Sequence, residues 1–292
     1  SMQRIIADNA GFCFGVTRAV DITLKQKDGE RSGKTYTLGP LIHNKDVVDS
    51  LKAKGIYPLN IDEIYKLKED DTIVIRSHGV TPETIDKIKT TDAKIIDATC
   101  PYVASIQRKV RKYHDKGYQI VIVGNKDHPE VIGINGWCYN SAIITKDGSD
   151  LVKLPQRVCI VAQTTERLSN YEQALKVVSE KCKEVVSFNT ICSATKERQA
   201  SAHEVSKDVD LMVVIGGKNS SNSKKLYEIC SKNCSNTIFI ENSSELSDEI
   251  LSKILINGIE RIGVTAGAST PDWVINEVIE KLERSGREIK NE

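Results

Sequence analysis

The sequence carries almost no net charge: 41 Lys and Arg stand against 40 Asp and Glu, leaving +1 over 292 residues. That balance excludes the strongly basic face expected of a protein that grips nucleic acid or a membrane surface. Long apolar runs are missing as well. Stretches such as 118–123 and 211–215 have strand length, far short of the roughly 20 residues that span a bilayer. No apolar leader precedes the first strand, and Ser1 ahead of Met2 reads as a residue left by cloning. The chain is therefore expected to be soluble and cytoplasmic. Two motifs are also absent. There is no G-x-x-x-x-G-K-[ST] run, which disfavours a Walker-type nucleotide site. No pair of cysteines has the short C-x-x-C spacing usual in closed zinc sites.

Cysteine itself is present eight times. In a chain expected in a reducing compartment, that number points away from disulfides and toward metal binding or catalysis. Cys138, Cys159 and Cys182 lie in apolar or helical contexts, and Cys230 and Cys234 close a helical run with no histidine to complete a zinc pattern. These five read as structural. The other three stand apart. Cys100 falls in Asp97-Ala98-Thr99-Cys100-Pro101-Tyr102-Val103, where a β-rich run stops and Pro101 opens a helix running to about Lys116. Proline costs no hydrogen bond in a first helical turn, and the amides there favour a thiolate. Cys13 in Gly11-Phe12-Cys13-Phe14-Gly15 and Cys192 in Thr190-Ile191-Cys192-Ser193 occupy similar switches, with separations of 87 and 92 residues.

From each of these cysteines to the glycine ending the next strand (Gly39, Gly124, Gly216) is 26, 24 and 24 residues. The pattern predicts three related α/β modules, at 1–99, 100–191 and 192–292, each built as cysteine, helix, strand, loop, helix, strand, loop, helix. Helices are expected at 16–27, 45–54, 82–89, 102–116, 168–181, 194–207, 223–230 and 271–283. Strands are expected at 35–38, 72–76, 93–97, 118–123, 157–162, 211–215 and 261–265. Near-continuous Val/Ile runs mark mostly parallel sheets covered by helices on both faces. Ligands of such sheets bind beyond the carboxyl ends of the strands. That face is where His43, His78, His128, Glu130, Thr164, Ser220, Ser221, Asn222 and Ser269 fall. Modules facing inward around a pseudo-threefold axis would gather these residues, with the three cysteines, on one central cofactor pocket.

Three thiolates from three modules suit a 4Fe–4S cluster, leaving one iron without a protein ligand and open to a substrate oxygen. The plain alternative is three core cysteines at repeat-equivalent packing positions. Three of the five histidines lie in strand-end loops beside hydroxyl and amide side chains. Imidazolium, Ser/Thr hydroxyls, Asn amides and backbone N–H groups at helix N-termini all donate to phosphate oxygens. Lys218-Asn219-Ser220-Ser221-Asn222-Ser223 has the composition of an anion nest, and equally of an N-capped helix start. Glu130 follows His128-Pro129 in a loop on the same face. An acid there repels phosphate, so it reads either as a proton-transfer group or as a glutamate favoured at a helix start. His114 and His203, on helix bodies, are left without a role.

Together these motifs resemble the 4-hydroxy-3-methylbut-2-enyl diphosphate reductase family (IspH, also called LytB). The matching pieces include Gly11-Phe12-Cys13, Ile42-His43-Asn44, Ser77-His78-Gly79, Asp97-Ala98-Thr99-Cys100-Pro101 and His128-Pro129-Glu130-Val131. They continue through Gln163-Thr164-Thr165, Thr190-Ile191-Cys192, Asn219-Ser220-Ser221-Asn222-Ser223 and Thr265-Ala266-Gly267-Ala268-Ser269, in the family's order over essentially the whole chain. The resemblance implies three α/β domains around a 4Fe–4S cluster held by Cys13, Cys100 and Cys192. It implies a diphosphate gripped by His43, His78, His128, Ser220, Ser221, Asn222 and Ser269, with Glu130 as proton source and Thr164 relaying at the substrate hydroxyl. The implied reaction uses two electrons and two protons to remove that hydroxyl as water, giving isopentenyl or dimethylallyl diphosphate in the last step of the non-mevalonate pathway. Reduced ferredoxin or flavodoxin is the electron donor that the resemblance implies. Phe14, where many members carry a small residue, departs from the family pattern and is expected to alter packing but not ligation. Some members carry RNA-binding repeats after this domain. Rival expectations are a non-redox phosphate-ester binding protein or hydrolase with structural cysteines, and a zinc-stabilised interaction module.

Overall fold

The structure is a computed structural model that describes residues 3–27, 29 and 32–288. Ser1, Met2, Asp28, Glu30, Arg31 and the last four residues of the expected 192–292 module lie outside the described residues. In chain order, β1 (Gln3–Ile6) and α1 (Phe14–Lys27) come first. They are followed by β2 (Thr35–Leu38), α2 (Lys45–Ala53), β3 (Tyr57–Leu59), β4 (Thr72–Ile75), α3 (Pro82–Lys89) and β5 (Lys94–Asp97). Next come α4 (Pro101–Asp115), β6 (Gln119–Val123), α5 (Pro129–Gly136), β7 (Ile143–Thr145), β8 (Arg157–Ala162), α6 (Leu168–Lys181) and β9 (Glu184–Ser187). The last stretch is α7 (Ser193–Lys207), β10 (Leu211–Ile215), α8 (Ser221–Asn233), β11 (Thr237–Ile240), α9 (Asp248–Ile256), β12 (Arg261–Ala266) and α10 (Asp272–Glu288).

These strands form three four-stranded parallel sheets, in the orders β3-β2-β4-β5, β7-β6-β8-β9 and β11-β10-β12-β1. The pattern is the same each time: second strand, first, third, fourth. The central strands are mostly buried. Ile120–Val123 and Met212–Ile215 are 0 % exposed, and each such Val or Ile contributes about 1.5–3 kcal/mol by leaving water. This is the three-module parallel α/β architecture the apolar runs predict.

The chain divides into two compact units. One holds the first two sheets, in the residues 14–42 and 46–192. The other holds the third sheet, in the residues up to Cys13, at His43–Lys45 and from Ser193 on. The first segment differs from the expected module of 1–99, because β1 pairs with β12 from Gln3↔Arg261 to Ile6↔Val264. The third sheet thus takes its fourth strand from the start of the chain. Nothing local in Gln3–Ile6 signals this choice; it is made by a partner some 250 residues away.

Seen this way, each notable cysteine follows the fourth strand of a sheet: Cys13 after β1, Cys100 after β5 and Cys192 after β9. Each donates its backbone N–H to a carbonyl in the loop after the third strand of that sheet. The pairs are Cys13 to Ala268 (3.3 Å), Cys100 to Ser77 (2.9 Å) and Cys192 to Thr164 (3.0 Å). The strand-end glycines repeat as well. The N–H groups of Gly39, Gly124 and Gly216 donate to Leu59, Thr145 and Ile240 (2.8, 2.9 and 2.9 Å). The sequence period is therefore a period of hydrogen bonding.

Candidate active site

The unit with two sheets carries Cys100, Cys192, His78, His128, Glu130 and Thr164. Cys100 is the N-cap of α4, with Pro101 at the first helical position. Its sulfur lies against α1: a Cβ built on Gly15 would stand 2.6 Å from Cys100 Sγ, so only glycine fits there. His78 precedes a tight turn whose Gly79 has φ +77°, and a Cβ there would also meet Gln107 Nε2 at 2.4 Å. The His78 and His128 rings meet edge to face, with centroids 5.4 Å apart and planes inclined at 71°.

Glu130 lies in the first turn of a helix, the helix start that the sequence left open, and not in a strand-end loop. His128 caps α5 and its Nδ1 accepts the Glu130 N–H at 3.1 Å. With Nδ1 used as an acceptor, the neutral ring carries its proton on Nε2 and can donate from there. Glu130 is 3 % exposed, and Thr164 binds both oxygens of its carboxyl group. Thr164 donates its backbone N–H to Oε1 (2.7 Å) and its hydroxyl to Oε2 (2.8 Å). Thr164 holds the Cys192 N–H through its own carbonyl. One residue thus links a buried acid to a cysteine anchor.

The other unit carries Cys13, His43, Ser220, Ser221, Asn222 and Ser269. Ser220 caps α8, accepting the Ser223 N–H at 3.3 Å, so Ser221 and Asn222 form the first helical turn. His43 reaches this turn through its backbone: a Cβ on Gly217 would lie 2.7 Å from the His43 carbonyl oxygen. Ser269 follows Ala268, the residue that anchors Cys13. The Lys218 ammonium sits over the Phe239 ring at 4.5 Å and 3.8 Å from Glu245. The α8 terminus therefore offers neutral donors. Both polar atoms of the Asn222 side chain, Ser223 Oγ and Thr265 Oγ1 are buried without a hydrogen-bond partner among the described residues. An unmet buried polar group costs about 1–3 kcal/mol, which points to a ligand or ordered water. Ser223 and Thr265 were not singled out from sequence. For Ser223 the signal is the glycines packed against it: Cβ atoms on Gly216 and Gly267 would stand 2.1 and 2.2 Å from its Oγ.

Of the remaining histidines, His114 packs against Tyr139 at 5.3 Å and His203 Nδ1 accepts from Asn233 at 2.9 Å. All eight cysteines are free thiols. Cys13, Cys100 and Cys192 are half-buried, whereas Cys138, Cys159, Cys230 and Cys234 are buried. Burial pushes the Cys159 thiol up to about 12, and does the same for Cys230. Native protein at pH 8 should accordingly leave Cys159 and Cys230 unlabelled by iodoacetamide, as read by peptide mass spectrometry. Labelling at the rate of a free thiol would contradict their burial.

Residues 5–283 match the LytB protein family. The chain belongs to the LytB family. Among LytB-family relatives, it is 57% identical over 281 residues to a 4-hydroxy-3-methylbut-2-enyl diphosphate reductase of Clostridium tetani. The match takes in 96% of this chain and 44% of the relative. A second, from Clostridium acetobutylicum, is 55% identical over 290 residues, again with 44% of its length matched. The chain thus spans less than half the length of these two relatives. The reductase of Clostridium perfringens strain 13 is 52% identical over 278 residues, which are 95% of this chain and 97% of that one. A solved structure of (E)-4-hydroxy-3-methyl-but-2-enyl diphosphate reductase, the terminal enzyme of the non-mevalonate pathway, is 42% identical. It covers 97% of this chain and 100% of its own, with a TM-score of 0.69. The Plasmodium falciparum reductase, at 24% identity, shares the fold with a TM-score of 0.86 over 96% of this chain and 87% of its own. The half-buried thiols are three soft donors outside any disulfide, one per sheet, at one repeated position, a donor set that fits an iron–sulfur group.

Proposed function

We propose that this chain reductively dehydroxylates 4-hydroxy-3-methylbut-2-enyl diphosphate to isopentenyl and dimethylallyl diphosphate, the last step of the non-mevalonate isoprenoid pathway. The observation that carries this reading is the thrice-repeated thiol, anchored each time to the loop beyond the third strand of its sheet. Cys13, Cys100 and Cys192 would hold a 4Fe–4S cluster. When bound, that group supplies the electrons and a Lewis-acidic iron without a protein ligand.

The protein's own work is binding and proton delivery. His43, His78, His128, Ser220, Ser221, Asn222 and Ser269 would grip the diphosphate, mainly through neutral donors. The buried, unpartnered Asn222 amide supports this assignment, since oxygens of a diphosphate would satisfy it. His128 would donate from Nε2. Glu130 is the proton source and Thr164 the relay. With Glu130 ionised, the Thr164 hydroxyl donates to Oε2. Once Glu130 is protonated, its O–H donates to Thr164 Oγ, which frees the threonine proton for the substrate hydroxyl. The burial of this couple keeps the exchange from water. Two electrons and two protons balance the loss of one hydroxyl as water. Reduced ferredoxin or flavodoxin would supply the electrons in the cytoplasm. No helix among the described residues is long and apolar enough to cross a membrane.

Anaerobically purified protein should be brown, bleach in air, and convert the diphosphate substrate when given a strong reductant. A colourless, iron-free preparation that is fully active would overturn the cluster reading. Asn222→Ala should keep the brown colour while its affinity for inorganic diphosphate falls by about tenfold or more, a loss typical of a charge-assisted hydrogen bond. Unchanged affinity by titration calorimetry would remove Asn222 from the site.

A further inference from the structure

The loop that delivers Cys13 is tied to the end of β12 and the residues just after it by the N–H groups of Ala7, Gly11 and Cys13, and it turns through left-handed backbone between them. Asn9 sits at φ +59° and Gly11 at φ +96°. The first is a left-handed conformation that a non-glycine residue adopts at a cost. Helix α7, which begins immediately after Cys192, grips this loop at three points. Ser201 Oγ accepts the Asp8 N–H at 2.7 Å, Arg198 Nε donates to the Asn9 carbonyl at 2.7 Å, and an Arg198 Nη donates to the Gly11 carbonyl at 3.0 Å. Arg198 is 1 % exposed and heads the largest fully buried side chains of the protein. Two residues beyond Gly11, the Cys13 N–H reaches Ala268.

A second helix does something related. Arg18, on the α1 helix that follows Cys13, donates to the carbonyl of Thr99, the residue before Cys100, at 3.2 Å. In both cases an arginine on the helix after one cysteine binds main-chain carbonyls just ahead of another. Arginine suits this task. Its planar fork of N–H donors can span two carbonyls.

We propose that Arg198 is a positioning residue for Cys13, with Arg18 in the same role for Cys100. Each holds the loop ahead of a thiolate so that the thiolate is preset for the iron–sulfur group. This inference rests on the cluster reading above. Outer partners of metal ligands typically affect metal retention by about 10–100-fold. Arg198→Met removes the hydrogen bonds to Asn9 and Gly11 but keeps much of the side-chain volume. After anaerobic reconstitution, it should transfer iron to a chelator about 10–100-fold faster than the parent. It should also show an altered electron paramagnetic resonance line shape in the reduced state. Arg198→Lys, able to reach one carbonyl, should fall between the two. Thermal unfolding of the iron-free proteins separates this from a purely structural role, which would lower the midpoint without changing the spectrum of the protein that does load.

Parent-like iron content, chelator rate and spectrum in Arg198→Met would overturn the assignment while leaving the cluster reading intact. A parent protein that takes up no iron or sulfide would instead sink the cluster reading, and this inference with it. If Arg198→Met does not fold, Arg198→Lys decides. A faster chelator rate supports the brace, and a parent-like rate and spectrum refute it.

Discussion

Glu130→Gln is expected to keep its iron and sulfide and bind substrate near normally, while turnover falls by about a hundred- to ten-thousand-fold. That range is what general acid catalysis typically contributes. The geometry explains why binding survives. The glutamine oxygen can still accept the Thr164 N–H, which lies 2.7 Å from Oε1 in the parent. The new amide group faces Thr164 Oγ, 2.8 Å from Oε2, and can only donate to it. The threonine is held, but no acidic proton stands behind it. Hydroxide is a poor leaving group, so losing that proton should appear in kcat and kcat/KM together. Steady-state rates with excess reductant, alongside iron analysis and substrate titration, check this. A rate close to the parent would move the proton source elsewhere.

Serine at any one of Cys13, Cys100 or Cys192 should lose most of the iron, because a hard hydroxyl substitutes poorly for thiolate on iron–sulfur iron. The fold should persist. Each of these residues is anchored through its backbone N–H, to Ala268, Ser77 and Thr164 respectively, and those bonds do not involve the sulfur. Alanine at Cys138, Cys159 or Cys230 should retain the iron and show its effect in the melting temperature instead, since these thiols fill the core. Iron and sulfide analysis of both groups separates the roles. Equal iron loss from the buried group would defeat the division.

The elements that were hard to find in the sequence share a physical cause. β3, β7 and β11 are only three or four residues long, and β3 contains Pro58. Such segments carry too few side chains for a period to emerge. They become strands because a buried neighbour offers a ladder to pair with. Helix α5 (PEVIGING) was hidden by its two glycines and by an apolar character that does not alternate. Its start was nonetheless written in His128-Pro129-Glu130, a cap, a proline and an acid in the first turn.

What the sequence determined by itself was the parallel α/β class, the threefold period and the cysteines that mark it. Those follow from local facts: apolar runs of strand length, prolines and glycines at strand ends, and thiols recurring at one offset. Tertiary structure decided what depends on partners distant in sequence. β1 joins the third sheet only because β12 leaves an edge to receive it. Thr164 closes on Glu130 across 34 residues. Arg198 reaches the Cys13 loop across 187 residues or more. Hydrogen bonds of that span leave no periodic trace in the chain, because their geometry exists only once the sheets have formed.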